Sequence, residues 1–130
     1  MKIFVKNQLT YWFPVYIWAA LIFYFSAMPL PSPGISYAGR TLIVFSDQYK
    51  HILVYGFLTF LSWRAFYNSN FKYSRIFAIA VVAIYGAGNE LYQYFVPGRS
   101  ASLIDAGFNL IGCILIQPLI MLYSKKFSKK

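Results

Sequence analysis

The sequence predicts an all-α integral membrane protein, an antiparallel bundle of four transmembrane helices, on three observations. Of 130 residues, 59% are hydrophobic and only 12% charged, about half the charge of a soluble domain. The apolar residues run in long blocks instead of alternating with polar ones, and the mean hydropathy is +0.54. The twelve Lys and Arg residues gather at the ends of those blocks, as they do where a chain crosses a bilayer. At about 20 residues per crossing, the chain holds about four spans and their connections, a single domain over residues 1–130.

The first block, residues 11–28, carries no charge and is long enough to cross the hydrocarbon core. Pro14 falls in its first turns, where proline is tolerated. The block exceeds the apolar region of a signal peptide, is rich in Trp, Tyr and Phe, and has no A-x-A cleavage site, so it reads as a span. Pro29, Pro31, Pro33 and Gly34 stop it. The connection that follows reaches Lys50; its 35–45 stretch is half apolar and suits the interface, and Ser46 and Asp47 are N-cap candidates for the next helix. Span two covers 50–66. A short polar connection, 67–74, leads to span three at 75–95. The Pro97-Gly98 pair turns the chain into span four at 102–123. Short connections make neighbouring helices antiparallel.

Charge placement orients the bundle. Lys2, Lys6, Arg64, Lys72, Arg75, Lys125, Lys126, Lys129 and Lys130 fall on one side, and Arg40, Lys50 and Arg99 on the other. Nine against three places both termini in the cytoplasm of a bacterial-type inner membrane. The net charge of +9 is thereby topological and does not mark a nucleic-acid surface. One cysteine, Cys113, forms no internal disulfide, and with one histidine, His51, the chain offers no Cys/His zinc framework. No cofactor is expected.

The same topology gathers the acids. Asp47, Glu90 and Asp105 belong to three elements, yet all fall on the outer side beside His51, Lys50 and Arg99. Helical spacing puts His51 with Tyr55, Glu90 with Gln93, and Asp105 with Asn109 on shared faces. Gly86 and Gly112 continue two of these faces and predict close approach between spans three and four. Ionisable groups a turn or two inside a bilayer cost on the order of 2–3 kcal/mol, so the set should face the bundle interior. The plain alternative is interhelical pairing of Glu90, Asp105, Lys50 and Arg99, about 1 kcal/mol or less per contact.

The residues Tyr85-Gly86, Glu90, Gln93, Phe95, Pro97, Arg99, Ser100, Asp105, Asn109 and Gly112, with Ser26, Pro29, Lys50-His51 and Tyr55, resemble the signature of the VanZ-like family. The resemblance runs from about residue 10 to 115. Two positions depart from it: Gln48, where many members carry Lys, and Ile116, where they carry a second glycine. The resemblance implies a small four-helix membrane protein, named for a member associated with low-level resistance to teicoplanin-type antibiotics, and supplies no reaction.

The reading these residues favour is an outer-leaflet site for an anionic envelope lipid or amphiphile. Arg99 and Lys50 would hold the anion, with Gln93, Asn109 and Tyr55 donating fixed hydrogen bonds. If the site turns its ligand over, Glu90 is the general-base candidate, His51 its proton partner, and Asp105 the group that orients His51 or Arg99. A non-catalytic binder would use the same pocket. A proton-coupled transporter subunit, or a metal held by His51, Glu90 and Asp105, is less favoured: no polar path continues into the cytoplasmic half, and two cations crowd the acids.

Overall fold

A computed structural model of the chain describes residue 6 and residues 8–28 and 37–127, with side chains for 6, 8–28 and 48–125. The proline-rich stop after span one, the residues Lys2, Lys129 and Lys130, and the side chains of Arg40, Ser46, Asp47 and Lys126 lie outside the described residues. Within them all regular structure is helical, with no strand.

Helix α1, Phe13–Ala27, is preceded by a π turn at Gln8–Trp12. Pro14 explains the widened turn, because it has no N–H to return to Thr10 and its ring displaces that carbonyl. The helix gives way at Met28, whose backbone is extended (ψ 127°), as a residue before proline prefers.

Helix α2, Tyr37–Asn68, is 32 residues long and corrects the expected start near residue 50. Ser46 and Asp47 lie within it and not at its start. A capping side chain begins a helix only where the preceding chain stops one, and from Arg40 to Tyr55 there is no glycine or proline. Its far end closes on Asn70 (φ 62°), with Asn70 N–H donating to Tyr67 O and Phe71 N–H to Phe66 O, both at 3.1 Å. The rings of Phe66 and Phe71 then meet edge to face at 5.0 Å, completing a Schellman cap.

Helix α3, Ser74–Gln93, leads through a type II turn, with Pro97 and then Gly98 at φ 78°. The turn closes by Arg99 N–H on Val96 O at 3.1 Å. Helix α4, Leu103–Leu115, starts at Ser102, whose hydroxyl accepts from Asp105 N–H at 3.1 Å. After Ile116, α5, Gln117–Phe127, continues the same direction. Pro118 causes the interruption, since it cannot bond back to Ile114.

Among the described residues three helices are long and apolar enough to cross a membrane: Gln8–Ala27, Ser74–Gln93 and Leu103–Lys125. The expectation of four such helices is met by three because α2 is the inner helix. It packs on α1, α3 and α4, and Tyr55, Leu58, Thr59, Trp63 and Ala65 along it are nearly sealed. One face of α2 is covered by its neighbours and the other exposes Tyr49, Leu53 and Phe57, while the other three helices expose Ile84, Leu103, Leu115 and many other large apolar side chains. Alternating order shows in the contacts between ends: Trp12 at the start of α1 donates to Ser69 beyond the end of α2 at 3.1 Å, so those two run antiparallel, and Gln93 at the end of α3 donates to Ser26 at the end of α1 at 2.7 Å, so α1 and α3 run parallel.

Candidate functional site

Two glycines allow α2, α3 and α4 to converge. A side chain on Gly112 would run into the backbone carbonyl of Ile52, and a methyl on Gly86 would sit 2.9 Å from the Tyr55 ring and 3.2 Å from Asn109 Nδ2. The close approach expected between spans three and four occurs at Gly86, which faces Asn109 of α4, whereas Gly112 backs onto α2, whose own Gly56 faces the Gly112 carbonyl. Ile116, in place of a second glycine, borders the neighbouring cluster of Trp63, Phe66, Ala78 and Ile120.

Above this contact the polar residues meet. His51 Nδ1 lies 2.7 Å from Asn109 Oδ1 and 3.9 Å from Glu90 Oε1. With the amide oxygen accepting, Nδ1 carries the proton and Nε2 keeps the lone pair. The imidazole stacks on Tyr55 at 6.3 Å, and the Tyr55 hydroxyl accepts from Asn89 Nδ2 at 3.0 Å. Glu90 is 4% exposed, and both its carboxylate oxygens, together with Asn89 Oδ1 and Asn109 Nδ2, are buried without a hydrogen bond. Each such omission costs about 1–3 kcal/mol.

In front of His51 opens a cavity of about 770 Å³, within the range of ligand sites. Trp18, Leu21, Ile22 and Phe25 of α1 form its apolar wall; Lys50, His51, Tyr55, Asn89, Gln93, Arg99 and Asp105 supply its polar end. Of the residues singled out in the sequence, Lys50, His51, Tyr55, Gln93, Arg99 and Asp105 thus border one space, while Glu90 and Asn109 stand behind His51.

His51 Nδ1 is bonded to Asn109, and Asp105, in the first turn of α4, has its backbone N–H tied to the Ser102 hydroxyl. Arg99 is not wholly available to an anion: Nε donates to Met28 O and Nη2 to Phe25 O, each at 2.9 Å, so it caps the carbonyl end of α1. Of the five guanidinium N–H groups, three remain.

Sequence reasoning missed Asn89 and Trp18, which line the cavity, and the tie of Tyr85 to α1. Trp18 Nε1 donates to Val54 O at 3.1 Å and Tyr85 hydroxyl to Ala19 O at 2.6 Å. Asn89 carried a signal, a second amide beside Glu90 in an apolar span; bonds to distant backbone carbonyls carry none. Cys113 is buried and free, within the core cluster of Tyr55, Leu58 and Val82. Among the described residues no three His, Cys, Asp or Glu side chains form a metal-binding group.

No protein-family profile and no solved structure matches the chain. It is similar to uncharacterized protein C11E3.10 of Schizosaccharomyces pombe, 26% identical over 106 residues, which are 82% of this chain and 65% of that protein. The chain therefore spans less than two-thirds of that relative's length.

Proposed function

We propose that the chain is a four-span, VanZ-like membrane protein with both termini cytoplasmic, and that it binds a phosphate-headed membrane amphiphile on the extracytoplasmic side. One observation carries this reading: a single cavity pairs an apolar wall from α1 with two cations, Lys50 and Arg99. An amphiphile laid in it would put its chains against Trp18, Leu21 and Phe25 and its phosphate toward the cations, where Arg offers planar donors and Lys a point charge. The outward apolar side chains suit lipid, and α2 crosses with one face covered by its neighbours. A fungal relative favours a ligand class that eukaryotic and bacterial membranes share over a wall-specific one.

A second reading, turnover, rests on the His51–Asn109 bond, which leaves Nε2 basic on a ring that lines the cavity. The test of the first reading is the phospholipid retained per chain after extensive detergent exchange. Wild type keeps a stoichiometric lipid and Lys50→Ala and His51→Ala lose it; equal retention by all three contradicts the reading. In a bacterial host, expression shifts susceptibility to teicoplanin only where the lipid-binding site is intact. Turnover would show as product formation abolished by Glu90→Gln with lipid retention unchanged.

A further inference from the structure

The charges at the polar end of the cavity are mixed, and their mixture specifies the ligand more narrowly than an anion. Lys50 and Arg99 are cations, but Asp105 lines the same space, and among the described residues its carboxylate has no ion-pair partner. His51 adds a second acceptor. Asn109 Oδ1 accepts the hydrogen bond of Nδ1–H, so a neutral imidazole presents Nε2 as an acceptor, and the buried Glu90 carboxyl stands 3.9 Å behind Nδ1. A purely anionic head would meet Lys50 and Arg99 favourably and would be repelled by Asp105. It would also leave the His51 acceptor unanswered.

Resting on the amphiphile-binding reading above, we infer that the ligand is a zwitterionic aminophospholipid, its phosphodiester held by Lys50 and Arg99 and its primary ammonium by Asp105 and His51 Nε2. The requirement is for N–H donors as well as positive charge. An ammonium has three donors, enough for both acceptors, whereas a quaternary amine has none and would leave both desolvated without a hydrogen bond. The apolar wall of α1 lies beside this head site, so the acyl chains can leave it along Leu21 and Phe25.

The experiment is native mass spectrometry of the full chain in detergent with equimolar phosphatidylethanolamine, phosphatidylglycerol and phosphatidylcholine. The wild type should retain phosphatidylethanolamine about tenfold over the other two, the scale of one hydrogen bond to a charged group. Asp105→Asn should erase the preference over phosphatidylglycerol, and Asp105→Glu should keep it. Phosphatidylglycerol or phosphatidylcholine retained as well as phosphatidylethanolamine by the wild type overturns the aminophospholipid assignment and leaves the amphiphile reading standing. Retention of no lipid overturns both. Should Asp105→Asn fail to fold, the wild-type ratios decide alone.

Discussion

At the scale of single residues, the fold turns on two atoms' worth of space and one amide. Gly112 lies against the Ile52 carbonyl, and neither backbone can yield as a flexible side chain would. Gly112→Ala should therefore destabilise the bundle by about 1–3 kcal/mol, read as a lower midpoint of thermal unfolding in detergent. Gly88→Ala is the matched control: nothing lies within 4 Å of its added methyl, and alanine's helix preference should stabilise by up to about 1 kcal/mol. Asn109→Ala removes the acceptor of His51 Nδ1 and should cost about 1–3 kcal/mol as well as lipid retention. Much of this set was legible in the sequence, because His51, Glu90 and Asn109 are polar residues in largely apolar helices, and the structure brings the three together. Their division of labour was not. Which group faces the cavity and which stands behind depends on helix rotation, and i+4 spacing fixes a shared face without fixing what the face meets.

At the scale of elements, α2 is the axis and α1 the loosest member. Only Val15, Ile22 and Ser26 of α1 are buried, and its described polar ties to the other helices and loops run through Trp12, Trp18, Tyr85, Gln93 and Arg99. Arg99→Ala should speed amide exchange in the last turn of α1 about fivefold, the effect of losing about 1 kcal/mol of capping, while exchange within α4 stays unchanged. The ends of α3 and α4 could be read from Pro97-Gly98 and Ser102, which act locally. The start of α2 could not, because Ser46 and Asp47 look like caps whether or not a helix already runs through them. The break before α5 is local too, set by Pro118, yet the apolar run across it hides the interruption.

At the scale of the whole molecule, three apolar helices pack on one that is not, and the cavity lies between the loosest helix and the axis. Composition made the helical class plain; it could not show that the least apolar span is the inner one, since hydropathy counts residues and not neighbours. If all four helices cross, tags on either terminus should be labelled from the same, cytoplasmic face by a membrane-impermeant reagent, and labelling from opposite faces would mean an odd number of crossings. The most direct test of the proposal that the cavity binds lipid is a photoreactive amino acid at Leu21, on the cavity wall, compared with one at Ile84, exposed on the outside of α3. The account predicts a phospholipid adduct at Leu21 that disappears with Lys50→Ala and His51→Ala, while the adduct at Ile84 persists in both. Adducts at the two positions that respond alike to those substitutions would contradict it.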